Sequence, residues 1–394
     1  MTKISFQNTE VAFRRMSNSD LKRASFLFNL IGAKWLVESG KKITQLAFAL
    51  HLPIKGIIRA TLFKQFVGGE SISDCEKTIH SLSSNHVGTI LDYSVEGKQE
   101  EKSFDETCDE IIRTIHKAST DERIPFSVFK ITGIARHQLL EKKSSGDLFN
   151  QDEKNEWSRV IERVNRICSC GVAKKVPVLI DAEESWIQPA IDELTEQMMQ
   201  SYNRGCVWIY HTLQMYRHDR LAYLHELHKK ASADGYLLGF KIVRGAYMEK
   251  ERLRATELNY TDPIQPNKDA TDLDYNEALR YCITNINDIA LCAGSHNEES
   301  AQLLLRLMEE KQIDNNHPHI YFAQLLGMSD HISFNLSDQH YNVAKYVPYG
   351  PVKEVLPYLI RRAEENTSVK GQTGRELQLI RAELKRRKKI IKNL

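Results

Sequence analysis

The chain reads as an α/β protein: a distorted (β/α)8 TIM-like barrel with an N-terminal helical arm and C-terminal helices over the barrel mouth. Three observations predict this. Eight short apolar stretches run through the middle of the 394-residue chain. Intervals long enough for a helix separate them. Most of them end in polar residues of catalytic type, which is where barrel enzymes keep their chemistry.

The stretches are LDYSVE (91–96), FSVFKITG (126–133), VPVLIDAEE (176–184), CVWIYHTLQMY (206–216), LLGFKIVRGAY (237–247), IALCAGSHN (289–297), HIYFAQLLGM (319–328) and VAKYVPYG (343–350). Many are apolar on both alternating faces, as strands covered on both sides are. Their ends carry Glu96, Lys130, Asp181, Glu183, Gln214, Arg244, Tyr247, His296 and Tyr346. A doubly wound open sheet would alternate in the same way. It announces a dinucleotide site with a GxGxxG turn after its first strand, and no candidate strand here is followed by that turn.

Ahead of the strands, residues 1–85 read as a helical arm. Apolar residues recur at helical spacing around 27–40 and stop at Gly40; LPIKGIIRATLFKQFVGG (52–69) stops at Gly68 and Gly69. Ser71 or Ser73 is expected to cap the next helix. Between the strands, DETCDEIIRTIHKAS, NEWSRVIERVNRICSC, IQPAIDELTEQMMQSY, DRLAYLHELHKKAS, YNEALRYCITNIN and EESAQLLLRLMEEKQ space their apolar residues as amphipathic helices do. VKEVLPYLIRRAEEN (352–366) follows the eighth strand. The barrel is expected over 86–370 and a basic helix over 371–394.

Composition fits one barrel with helical extensions. The chain is 41% hydrophobic and 27% charged, which is globular, and a barrel takes roughly 250 residues. A net charge of +2 gives no footprint for nucleic acid. Seven scattered cysteines with no CxxC are read as reduced thiols of a cytoplasmic protein, and Cys168 and Cys170 as a helix-end pair. MTKISFQNTE has no apolar core of a secretory signal. The longest apolar run, LAFALHLPIKGII (46–58), is broken by His51, Pro53 and Lys55, so membrane contact is expected to be peripheral. No signal sets an oligomeric state.

Three motifs carry chemistry. IDAEES places Asp181, Glu183 and Glu184 at the third strand's end, and alternation turns Asp181 and Glu183 the same way. Carboxylates there can act as a base, accept bonds from a cofactor or cap the next helix. His211, His218 and His296 form no metal-ligand string, so no metal is expected. FKIVRGAY sets Lys241, Arg244, Gly245 and Tyr247 together, like one wall of a large cofactor pocket. In YLIRRAEEN, Arg361 and Arg362 stand side by side, one turn from Tyr358 on one side and Glu365 on the other. Paired guanidinium forks suit a small carboxylate; a solvated basic face is the other reading.

These segments closely resemble the proline dehydrogenase family. The resemblance rests on FVGGES, VLIDAEES, KIVRGAYMEKER, AGSHN, LLGM and YVPYGPVKEVLPYLIRRAEEN, in one order from about residue 60 to 385. It implies FAD-dependent oxidation of L-proline to Δ1-pyrroline-5-carboxylate by hydride transfer to flavin N5. Electrons would pass to a membrane quinone, in the first step of proline breakdown toward glutamate. For the substrate it implies Lys130, Asp181, Tyr247, Leu325, Tyr346, Tyr358, Arg361 and Arg362. Glu96 would gate the site by pairing with Arg361. For FAD it implies Asp181, Gln214, Lys241, Val243, Arg244, Gly245, Ala246, Ser295, His296, Arg362 and Glu365.

Lys241 stands where some members have Arg, which keeps charge but loses the fork. Met248 stands where some have Trp, which puts ring stacking there in doubt. Nothing resembles the further domains of bifunctional relatives. The basic terminal stretch offers a route to an anionic bilayer at roughly 1 kcal/mol per Lys or Arg, and so to the inner face of the cell membrane; a solvated helix end is the alternative. Two other readings stay open on the residues alone. One is a lyase or aldolase with a Schiff base on Lys130, and the other an inactive scaffold.

Overall fold

The structure is a computed structural model that describes residues 4–31, 56, 59–95, 99–368 and 372–393. The apolar repeat read as helical around 27–40 and the start of the segment 52–69 lie largely outside these residues. So does Glu96. Side chains within 363–373, Glu365 among them, are likewise outside the description.

Eight strands close a parallel barrel in sequence order: β1 (Val87–Tyr93), β2 (Phe126–Phe129), β3 (Val178–Ile180), β4 (Ile209–Gln214), β5 (Leu238–Val243), β6 (Ile289–Gly294), β7 (Ile320–Leu325) and β8 (Val343–Tyr349). β1 and β8 close it over a long register, from Val87 opposite Val343 to Tyr93 opposite Tyr349. The expected barrel is therefore present, with strands β2 to β8 shorter than their apolar stretches. Strand one begins four residues before LDYSVE, because Gly88 and Thr89 belong to it. In the third stretch only Val178–Ile180 pairs, and DAEE is irregular.

Ahead of β1 come α1 (Thr9–Ala12), α2 (Asn18–Ile31), α3 (Lys64–Phe66) and α4 (Glu76–Ser83). Cys75, not a serine, is the N-cap of α4, and it makes no side-chain cap bond. Ser71 instead builds the preceding turn: its hydroxyl accepts the Asp74 N–H at 3.2 Å and donates to the Asp74 carboxylate at 2.8 Å. The crossovers are α5 (Glu101–Ser119), α6 (His137–Ser145), α7 (Gln151–Lys174), α8 (Gln188–Tyr202), α9 (Arg220–Asp234), α10 (Met248–Leu258), α11 (Lys268–Thr284), α12 (Glu298–Glu310) and α13 (Asp330–Ser337). α14 (Val352–Ser368) and α15 (Gln372–Asn393) follow. α7 starts on a capping box in which Asn150 and Glu153 satisfy each other's backbone N–H. Periodicity did not announce α13, because every one of its residues is buried and Ile332, Phe334 and Leu336 alternate with polar residues instead of recurring at helical spacing.

Alternation along the strands sorts two cores. Leu91, Ile180, Ile209, Phe240, Ile242, Leu291 and Val347 join the large cluster shared with the surrounding helices. Ile90, Phe126, Val128, Leu179, Tyr210, Ala290 and Ala344 form the barrel's own filling. Phe126 meets Tyr321 edge-on at 4.8 Å and Tyr210 at 5.4 Å, so aromatic rings plug the interior. A third cluster joins Phe13, Leu21 and Phe28 of the N-terminal region to Val355 and Leu359 of α14 and Leu379 and Ile380 of α15.

The segment before α4 is tied to the barrel rim. Gly68 N–H donates to Pro348 O at 2.8 Å, and Gly350 N–H to Gly69 O at 3.1 Å. Gln65 donates to Gly327 O at 3.1 Å. Gly327 has φ +73, and a Cβ there would fall 2.2 Å from Gln65 O. We therefore predict that Gly327→Ala destabilises the fold by about 2 kcal/mol or more, from backbone strain and lost docking together. Urea unfolding checks this; an unchanged midpoint would mean that the segment does not press on the loop.

Candidate active site

The alternation that fills the barrel also builds its upper layer. Two residues beyond the interior side chains of Ile90, Val128, Leu179 and Ala344 stand Asp92, Lys130, Asp181 and Tyr346. Lys241 follows Gly239 in the same way. The five side chains meet. Lys130 Nζ lies 3.3 Å from Asp181, 3.5 Å from Asp92 and 3.2 Å from Tyr346 Oη. Tyr346 donates to Asp181 at 2.7 Å, and Lys241 pairs with the other Asp181 oxygen. Two ammonium groups and two carboxylates balance in a buried layer, where an unmatched charge would be costly.

Electrostatics fixes the protonation states. Burial pushes the Asp181 carboxyl up, but Lys241 and Lys130, with bonds from Lys241 and Tyr346, outweigh it and hold the group at about 2. Burial, reinforced by Asp181 and Asp92, drives the Tyr346 phenol well above its ordinary value. Asp181 is thus a fixed anion and Tyr346 a fixed donor.

Above this layer a cavity of about 730 Å³ opens, with walls supplied by the loops after β4 to β7. Gln214 is locked from both ends: its amide donates to Glu183 O at 2.8 Å and accepts the Ala246 N–H at 3.2 Å. Arg244 is held by Asp272 at 2.7 Å, Ser295 at 2.7 Å and Ser300 at 2.9 Å, with its guanidinium 4.3 Å from the Tyr275 ring centre. Gly245 has φ +138, and a Cβ would strike the Tyr216 ring. Burial, with the positive charges of Lys345 and Arg362 nearby, keeps His296 neutral, its pKa well below the ordinary value. α14 supplies a further part of the wall. There Arg362 is buried with its guanidinium 5.3 Å from the Tyr358 ring centre, and Arg361 lies 5.9 Å from that of Tyr247.

Of the residues singled out from sequence, Lys130, Asp181, Gln214, Lys241, Val243, Arg244, Gly245, Ala246, Tyr247, Ser295, His296, Leu325, Tyr346, Tyr358, Arg361 and Arg362 all line this one cavity. Glu96 and the Glu365 side chain lie outside the described residues. Glu183 does not turn with Asp181. The strand has ended at Ile180, so alternation no longer applies, and Glu183 is buried against Thr132, whose N–H it accepts at 3.0 Å. Sequence reasoning missed Asp92, although a carboxylate inside an apolar run was a usable signal. It also missed Ser329, Arg375 and Glu376, which line the same cavity. Among the described residues no group of His, Cys, Asp and Glu is arranged to hold a metal ion.

A family profile described as proline dehydrogenase matches residues 75–375. The chain belongs to the proline dehydrogenase family. It is therefore an enzyme of that oxidoreductase family. It is 33% identical over 428 residues to "Proline dehydrogenase 1, mitochondrial" of Dictyostelium discoideum, covering 96% of this chain and 74% of that protein. It is 30% identical over 412 residues to "Hydroxyproline dehydrogenase" of Xenopus laevis, covering 95% of this chain and 88% of that protein. The fold is similar to that of proline utilization A from Bdellovibrio bacteriovorus, with a TM-score of 0.71 at 19% identity. That match covers 94% of this chain but only 39% of the longer one.

In this proline dehydrogenase family member, Asp181→Asn leaves Lys241 and Lys130 without their shared anion. We predict a loss of about 3 kcal/mol at neutral pH. The folded carboxyl lies near 2 against an ordinary 3.8, so its stabilisation is full above about pH 4 and is lost as pH falls toward 2. The gap between parent and variant should narrow by about 1 kcal/mol between pH 7 and pH 3. Urea unfolding at both pH values measures it; a constant gap would show that Asp181 is not the titrating anion.

Proposed function

We propose that this chain oxidises L-proline to Δ1-pyrroline-5-carboxylate with FAD, and that a membrane quinone takes the electrons onward. Family membership supports the reaction. The observation that carries it is the convergence of Arg361 and Arg362 from α14 on the cavity that Lys130, Asp181 and Tyr346 floor. Two guanidinium groups beside a charge-balanced floor suit a substrate that brings its own carboxylate.

The cavity's residues fit FAD. Its volume of about 730 Å³ suits a dinucleotide rather than a small acid alone. Gln214 and the Gly245–Ala246 backbone would hold the ring system, with Lys241 and Val243 at its edge. Arg244, Ser295, neutral His296, Arg362 and Glu365 would hold the remainder. When bound, FAD supplies the hydride acceptor, at its N5.

The chain's own residues do the positioning. Arg361 and Arg362 grip the substrate carboxylate, and Lys130 adds positive charge beneath it. Tyr247, Leu325, Tyr346 and Tyr358 wall in the apolar ring, so the reacting carbon is presented in one orientation. Asp181 is a poor proton acceptor at neutral pH, since its pKa is held at about 2. Tyr346 already donates to it. Asp181 therefore orients Lys130 and Lys241 rather than taking the amine proton.

Contact with a bilayer would be peripheral. Among the described residues no helix is long and apolar enough to cross a membrane. In the basic end of α15, Arg386 and Arg387 turn inward onto Glu383. That leaves Lys385, Lys388, Lys389 and Lys392 with the exposed Ile390 and Ile391 to meet the inner face of the cell membrane.

Two measurements test this reading. Arg362→Met should raise KM for proline on the order of tenfold or more, because a charge-assisted bond worth roughly 1.5–3 kcal/mol is lost. Flavin-saturated steady-state kinetics decide it, and an unchanged KM removes Arg362 from the substrate site. Tyr358→Ser should shift the ratio of kcat/KM toward trans-4-hydroxy-L-proline while weakening proline turnover, since the tyrosine hydroxyl crowds a ring substituent. If that ratio stays put, Tyr358 is not the steric filter. A yellow protein bleached anaerobically by proline separates this chemistry from a Schiff-base lyase.

A further inference from the structure

α15 reaches the cavity through Arg375 and Glu376. Glu376 is buried, and its carboxylate accepts the backbone N–H of Ser329. Ser329 is the N-cap of α13, yet its hydroxyl makes no cap bond. Its φ is +51, a left-handed conformation that costs a serine about 1 kcal/mol. The hydroxyl is turned instead to His296, 2.9 Å from Nδ1. With Nδ1 so engaged, Nε2 is the nitrogen left for a ligand.

Everything around this contact is braced. Lys345, fully buried, pairs with Asp330 at 2.9 Å and donates to the carbonyls of Leu325 and Met328; Arg15 grips the other Asp330 oxygen at 2.8 Å. On the α15 side, Arg387 donates to Phe13 O at 2.8 Å and Met16 O at 2.7 Å, while Leu379 and Ile380 sit in the third apolar cluster. Arg375 and His331 meet one oxygen of Glu298, at 2.6 Å and 3.0 Å. A braced helix thus hands one carboxylate to one strained backbone N–H, and the strained residue aims a cavity imidazole.

We propose that Glu376 is a positioning residue for the cofactor: it pins Ser329 in the left-handed conformation, and Ser329 sets the ring orientation of His296. This rests on reading the cavity as an FAD site. A buried carboxylate that served only to fasten α15 would act without the Ser329 hydroxyl, so that removing this hydroxyl would leave cofactor affinity alone. The two roles are therefore separable.

The experiment uses the full-length chain, stripped of flavin and titrated with FAD, with flavin fluorescence as the readout and apoprotein melting measured alongside. Glu376→Ala should weaken FAD about tenfold or more, equivalent to 1.4 kcal/mol. Ser329→Ala keeps the N–H for Glu376 but removes the hydroxyl from His296, and should weaken FAD by a similar factor. The double variant should be little worse than the weaker-binding single one, because both act through His296. Glu376→Gln keeps an oxygen acceptor and should stay within about threefold of the parent. KM for proline at saturating FAD should move by less than about twofold in all of them. FAD affinity unchanged in Ser329→Ala would overturn the proposal, even if Glu376→Ala fails to fold. So would additive losses in the double variant. A parent chain that takes up no FAD would instead overturn the reading of the cavity itself, and this inference with it.

Discussion

The buried charge layer at the top of the barrel is the constraint on which the rest depends. Lys241, Asp181, Lys130 and Asp92 alternate in sign across the mouth, with the Tyr346 hydroxyl between them. None of these groups could be buried alone; each is tolerable because its neighbour compensates it. The arrangement needs inward-facing positions on β1, β5 and β8 and the residues just beyond β2 and β3, all at one height. Only a closed sheet brings five chain segments to one ring. The aromatic plug beneath gives the layer an apolar floor.

Closure above the mouth depends on a different core. α14 carries the paired arginines, but it is the third apolar cluster, shared with α2 and α15, that seats it. The arm and the terminal helix are thus the backing plate for the helix that brings the arginine pair to the cavity. Polar contacts reinforce the same seating. Glu383 of α15 is fully buried and accepts from Thr9 at 2.9 Å as well as from Arg386 and Arg387.

Much of this was legible in the residues. Strand-length apolar runs ending in Lys130, Asp181, Gln214 and His296 gave the barrel and one side of its cavity, because a parallel barrel repeats one simple rule eight times. IRR after the last strand marked α14 for the same reason. Glu183 was misplaced because alternation was extended past Ile180, where pairing stops. Ser71 and Ser73 were read as caps, although a serine-rich turn can satisfy its own backbone. Asp92 was hidden in a hydrophobic run. Glu376, Ser329 and Lys345 were invisible for a deeper reason. Their partners are remote in sequence, and nothing local about SDH or GRELQ says that the two segments meet.

Arg15 near one end of the described chain fastens onto Asp330, the first residue of α13, and Glu376 near the other end onto Ser329 just before it. Filling the cavity and docking the two chain ends are then one coupled equilibrium. A ligand that never touches the turn carrying Arg15 would still slow amide exchange there, because opening that turn loosens the start of α13 beside the cavity. Reciprocity runs the other way too: a surface or partner that draws the Arg15 turn or α15 away must weaken whatever the barrel holds by the same factor.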